Sequence, residues 1–99
     1  MPKLAVYLTP ALVEPGDLAN RLVVVVDILR ATTSMLYALH AGASVIIPVA
    51  EVDEASDIAS KFPQSSVLLA GERKGSPIAG FDLGNSPKEF LPRVVADKA

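Results

Sequence analysis

The chain has 99 residues, 51% of them hydrophobic, with nine basic and eleven acidic side chains and a net charge of −2. That length sets one small domain or part of a larger one. With no cysteine, disulfides, thiolate metal ligands and a cysteine nucleophile are excluded within these residues, and the near-neutral balance with few aromatics argues against nucleic acid as a partner.

The mean hydropathy is +0.40, but the apolar residues fall in short runs. None approaches the roughly 18 residues of a membrane span, and no signal-peptide pattern follows Lys3. Buried strands account for the hydropathy, and a cytoplasmic location with no membrane partner is expected.

Lys3–Leu8 reads as a first strand. The loop after it is punctuated by Thr9-Pro10 and Pro15-Gly16-Asp17, turn-forming residues in a connection long enough to cover something. Leu22–Asp27 follows: Leu22-Val23-Val24-Val25-Val26 is apolar and mostly β-branched, and it ends in a carboxylate. Such a run fits a strand buried on both faces of a parallel sheet. Ala31–Ala41 has a helical stripe of Met35, Leu36, Ala38 and Leu39, with Gly42 as the C′ stop. The single histidine, His40, falls in the last turn, remote from the acidic strand end, where the helix dipole tolerates a cation.

Ser44–Val49 is the next expected strand. Val52–Phe62 reads as a helix with Asp53, Glu54 and Asp57 early and Lys61 late, as the macrodipole favours. Pro63 closes it, and Ser66–Ala70 is a further strand. This β-α-β-α-β order predicts α/β class: a mainly parallel sheet flanked by helices in three layers (α/β/α), incomplete in this chain. It also predicts that Asp27, Ala50-Glu51 and Gly71-Glu72-Arg73 share one sheet edge. From Gly71 onward the sequence is polar and glycine-punctuated. Ser86-Pro87-Lys88-Glu89 has capping-box spacing with proline at the first helical position, so a short helix is expected there, ending before Pro92.

Asp27-Ile28-Leu29-Arg30-Ala31-Thr32-Thr33-Ser34 concentrates the chemistry. An acid after a strand lies where open α/β sheets bind ligands, and the following helix start offers unpaired N–H groups to an anion. Carboxylate, guanidinium and helix start could hold a metal ion and a phosphate side by side. Equally, Asp27 could cap the helix, with Thr32–Ser34 supporting its first turn. Glu72-Arg73 reads alone as an exposed ion pair, and Asp82 and Asn85 as turn-forming side chains.

Three stretches together resemble the 2-phosphosulfolactate phosphatase family, the ComB-type enzymes of coenzyme M biosynthesis. They are Val26–Ser34, Ala70-Gly71-Glu72-Arg73 and Gly80-Phe81-Asp82-Leu83-Gly84-Asn85-Ser86-Pro87. The resemblance runs from about Leu22 to Val95 and makes residues 1–99 the amino-terminal part of such an α/β domain. It implies Mg²⁺-dependent hydrolysis of the phosphate ester of a small phosphorylated sulfonate, giving sulfolactate and inorganic phosphate.

The residues suit that task, since Mg²⁺ takes one or two carboxylates plus phosphate and waters. Asp27, Glu72 and Asp82 are the metal candidates. Arg30 and Arg73 are candidates to clamp phosphate or sulfonate, so Asp27, Arg30, Glu72 and Arg73 form the expected catalytic set. Thr32, Thr33, Ser34, Asn85 and Ser86 are the expected substrate-binding residues. Whether Asp27 attacks phosphorus or binds metal stays open.

A haloacid-dehalogenase-type phosphatase would place a second Asp two positions after the first, where this chain has Leu29. An isochorismatase-like hydrolase would need a cysteine. The reading from another class is a non-catalytic anion-binding or subunit-interaction module, since exposed strand edges leave pairing with another copy open.

Overall fold

Helix α1 (Ala31–His40) and helix α2 (Val52–Ala59) carry most of the regular structure of the computed structural model, which describes residues 3–99. A two-residue antiparallel pair follows, β1 (Glu72–Arg73) with β2 (Ser76–Pro77). Short 3₁₀ turns occupy Pro10–Leu12, Gln64–Ser66 and Pro87–Glu89, and the one-turn helix α3 (Pro92–Val95) comes last. The described residues thus form a small unit of helices and short strands, of α/β composition.

Local rules explain the helices. The backbone of α1 turns at Gly42 with φ of +102°, a conformation in which a Cβ is strained. Asp53 and Glu54 sit in the first turn of α2, against the positive dipole end. Pro87 occupies the first position of the Pro87–Glu89 turn, and Glu89 returns its carboxylate to the Ser86 N–H at 3.2 Å.

The mainly parallel, three-layer sheet is not formed by the described residues. Leu4–Leu8 and Leu22–Leu29 form neither helix nor strand, and most of their side chains face solvent: Leu22 is 96% exposed and Val26 83%. Their backbone amides find no protein partner among the described residues. Val45–Val49 also lacks a ladder. For the segments that begin at Ser44 and Ser66, competing backbone bonds supply the physical reason. Residues 97–99 lie between the segments expected to pair: Asp97 N–H bonds the Gly42 carbonyl (2.9 Å), Ser44 N–H the Lys98 carbonyl (2.9 Å), and Leu68 N–H the Ala99 carbonyl (2.8 Å). Beyond these bonds, Ala70 and Leu83 make one isolated parallel bridge.

Little apolar surface is therefore removed from water. Ala38 and Val95 are the buried hydrophobic residues, and Ser34 is the buried polar one. The accessible surface is 7928 Å², against roughly 5,400 Å² for a compact monomer of this mass. The radius of gyration is 15.5 Å, where about 13 Å is usual for this length. Helices α1 and α2 and the 67–71 segment surround an apolar cavity of about 330 Å³, lined by Met35, Ala38, Ile46, Ile58 and Leu68. Close-packed interiors hold few voids larger than a water molecule, so the layers meet without filling the space between them.

A chain with this surface is expected to bind the dye ANS without denaturant and to unfold in urea with a shallow slope, at or below about 1 kcal/mol/M. A steep sigmoidal transition without dye binding would contradict the exposed arrangement of Leu22–Leu29.

Candidate functional site

The loop from Asp27 to Arg30 turns the chain into α1, and the functional candidates gather around that turn. Asp27 Oδ2 accepts the Thr32 N–H at 2.7 Å. Asp27 therefore caps α1 from five residues upstream, while Arg30 occupies the N-cap position without a side-chain cap bond. Thr33 Oγ1 donates to the Ile28 carbonyl at 2.5 Å, and Ser34 N–H bonds the Arg30 carbonyl at 2.9 Å. Of the four amides that a helix start leaves open, here those of Arg30 to Thr33, Thr32 is thus engaged, while the Ser34 N–H makes the first bond of the helix ladder. The Ala31 and Thr33 amides have no partner among the described residues. Two unpaired N–H groups at the positive end of a helix dipole favour an anion.

Arg30 Nη2 meets Glu72 Oε2 at 3.1 Å, across 42 residues of sequence. The pair is partly exposed, with side chains 36% and 28% accessible, so it contributes about 1 kcal/mol or less to stability. Its consequence is orientation. Guanidinium carries five N–H donors in a fixed fork, and one held by Glu72 leaves the others directed by that plane. Arg73 reaches a different place: its Nη2 donates to the Ala50 carbonyl and its Nη1 lies 3.5 Å from the Glu72 carbonyl. Arg73 thereby ties β1 to the segment leading into α2.

The remaining candidates are distributed around this centre. Ser34 is 3% exposed and its hydroxyl donates to the Asn85 carbonyl at 2.8 Å. Asn85 and Ser86 are half-buried, with the Ser86 N–H on Glu89. Asp82 accepts the Leu69 N–H at 2.9 Å, and the Asp82 and Leu83 amides both return to the Leu69 carbonyl. Asp82 pins the Phe81–Leu83 loop to the 69–71 segment.

Among the described residues no group of three or more His, Cys, Asp or Glu could hold a metal ion together. Asp27, Glu72 and Asp82 do not assemble a three-carboxylate site. Asp27 Oδ1 accepts no hydrogen bond among the described residues, which leaves one carboxylate oxygen open, and Mg²⁺ keeps several waters and needs only one or two carboxylates.

Reading the sequence placed Ala50 near Glu72-Arg73 and expected open amides at the helix start. It missed the bonds to the Ala50 and Asn85 carbonyls, because these act through the backbone, which no side-chain motif announces. Glu89 was legible as a cap through Ser86-Pro87-Lys88-Glu89, but its second bond, from the Gly84 N–H at 3.1 Å, was not.

Among the described residues no helix is long and apolar enough to cross a membrane. A family described as 2-phosphosulpholactate phosphatase matches residues 7–99. A probable 2-phosphosulfolactate phosphatase of Caldanaerobacter subterraneus subsp. tengcongensis is 45% identical over 95 residues, covering 96% of this chain and 39% of the relative. Its counterpart in a Picosynechococcus strain is 44% identical over 96 residues, with 97% and 39% covered. One from Prochlorococcus marinus strain MIT 9303 is 48% identical over 75 residues, with 76% and 31% covered. The chain spans about two fifths of the length of the first two of these curated relatives. With the match running from Tyr7 through the Asp27–Ser34 turn to Ala99, the chain belongs to the 2-phosphosulpholactate phosphatase family.

Proposed function

We propose that this chain carries the phosphate-binding half of a phosphoric monoester hydrolase acting on 2-phosphosulfolactate, releasing sulfolactate and inorganic phosphate in the cytoplasm. The observation that carries the reading is the turn at Asp27–Thr33. There a carboxylate, a guanidinium oriented by Glu72 and two unpartnered helix amides stand within one turn of each other. Phosphate monoesters hydrolyse very slowly unaided, so a catalyst must neutralise the charge that collects on the phosphoryl oxygens. Arg30 and the Ala31 and Thr33 amides supply donors within one helical turn, and donors held in place need no reorganisation as the reaction proceeds.

Asp27 has two roles open to it besides capping: attack on phosphorus, or a ligand to Mg²⁺. When bound, Mg²⁺ would rest on Asp27 Oδ1 and supply neutralisation of phosphate oxygens. Arg73, facing the Ala50 carbonyl, and Glu72, facing Arg30, act here by holding neighbouring segments. Of Thr32, Thr33 and Ser34, Thr33 contributes an open amide, while the Thr33 and Ser34 hydroxyls donate to carbonyls. The exposed β-branched runs belong to the same reading. In a chain of the relatives' length, more than twice this one, such runs would serve as strands of a parallel sheet covered by helices on both faces.

The exposed surface favours a second reading, a subunit-interaction module. Roughly 2,500 Å² beyond a compact monomer's surface exceeds the about 800 Å² per partner that a stable interface buries. Sedimentation of the chain as a dimer or larger species, with no phosphate release, would favour that reading.

Two variants separate the roles. Arg30→Ala is expected to weaken inorganic phosphate binding by about 1.5–3 kcal/mol, the worth of a charge-assisted contact. An unchanged affinity in a calorimetric titration would return Arg30 to pairing with Glu72 alone. Asp27→Asn keeps shape while removing the charge that metal binding or attack requires. Mg²⁺-dependent phosphate release from 2-phosphosulfolactate should fall by several orders of magnitude. The thermal melt should barely move, because asparagine caps as well as aspartate. Near-wild-type turnover would leave Asp27 as a cap only.

A further inference from the structure

We propose that Glu89 is a positioning residue for the start of α1, acting through the Gly84–Ser86 loop. The inference rests on the phosphate-site reading above for its functional consequence, and on geometry alone for the coupling itself.

Glu89 uses both carboxylate oxygens on this loop. Oε1 accepts the Gly84 N–H at 3.1 Å and Oε2 the Ser86 N–H at 3.2 Å. The Ser86 N–H and the Asn85 carbonyl belong to one planar peptide unit and point in opposite directions, so the bond to Ser86 orients that carbonyl, and the bond to Gly84 holds the loop on the other side of Asn85. The Asn85 carbonyl is thereby aimed at α1, where it accepts the Ser34 hydroxyl at 2.8 Å. Ser34 is buried, and its own N–H bonds the Arg30 carbonyl at 2.9 Å. A continuous path of hydrogen bonds runs from Glu89 through Gly84 and Ser86, Asn85 and Ser34 to Arg30. The Pro87–Glu89 turn also packs directly on α1.

A capping box alone would account for the bond to Ser86 and nothing more. The bond to Gly84 is additional, and Gly84 is shaped for it. A Cβ there would lie 2.9 Å from Glu89 Oε2 and 3.5 Å from Oε1, so the carboxylate fills the space a side chain would need. Gly84 has no positive φ to explain its identity; the close approach of Glu89 does. Charge-assisted bonds to two backbone donors are among the stronger contacts available to a half-exposed loop, and a buried hydroxyl such as Ser34 holds its acceptor firmly because losing it is costly.

The test follows backbone amide resonances and inorganic phosphate binding in the 99-residue chain. Glu89→Gln keeps the volume and can still cap Ser86, but it offers one acceptor oxygen for two donors. It should move the Gly84 and Ser86 resonances and, through Asn85, those of Ser34 and Arg30, and it should lower phosphate affinity by about 3- to 10-fold. Gly84→Ala, which displaces the carboxylate without altering it, should move the same set. Lys88→Ala, in the same turn, is the control and should leave Ser34 and Arg30 in place. Perturbations that stop at Pro87–Phe90 in both Glu89→Gln and Gly84→Ala would overturn the proposal and reduce Glu89 to a cap. Absence of phosphate binding by the unaltered chain would instead overturn the phosphate-site reading, with the Ser34 and Arg30 resonances still deciding the role of Glu89.

Discussion

Helix α1 is joined to the carboxy-terminal half of the chain at its first turn, and the arrangement of the candidate site depends on those joints. Arg30 meets Glu72 and Ser34 meets the Asn85 carbonyl, at 3.1 and 2.8 Å. Both contacts sit within five residues, so they fix the direction of the helix start more firmly than its far end. The ion pair is half-exposed and worth little in free energy. The serine bond is part-buried but Ser34 itself is 3% exposed, and breaking it would leave that hydroxyl without a partner away from water. Ser34 is therefore the firmer of the two joints, and Arg30 the one whose donors remain open to a ligand.

Asp27 shows how capping and catalysis can occupy one side chain. A carboxylate has two oxygens, and the cap needs only Oδ2. The bond to Thr32 N–H holds the side chain in a defined rotamer, which leaves Oδ1 in a fixed place for a cation or an electrophile. Structural and chemical readings of an acid at a helix start are thus not exclusive. The same hydrogen bond that satisfies the helix orders the oxygen that could do chemistry.

The apolar surface tells a complementary story. Leu22–Leu29 has the composition of a strand buried on both faces, yet it lies in solvent. Burying a Val or Leu side chain is worth about 1.5–3 kcal/mol, so the run forgoes a large stabilisation that a partner would supply. The cavity of about 330 Å³ beside α1 and α2 is the interior counterpart of the same shortfall.

What the sequence alone determined is local. The stretches Ala31–Ala41 and Val52–Phe62 were legible as helices from their apolar spacing and their end signals, and form as Ala31–His40 and Val52–Ala59; the turn at Ser86–Glu89 was legible from its capping box, because helix ends are set by residues within one turn of each other. The motifs around Asp27, Glu72 and Asp82, and the family they resemble, were equally present in the letters. Only the tertiary structure decided who meets whom. It placed Glu72 on Arg30, Arg73 on the Ala50 carbonyl, Asp82 on Leu69 and Asn85 on Ser34, and it set residues 97–99 between Gly42–Ser44 and Ser66–Leu68. A β-branched run declares that a segment will extend, but its hydrogen bonds are made by backbone atoms that every residue shares. Its partner is therefore chosen by the spatial competition among distant segments, which no local pattern encodes.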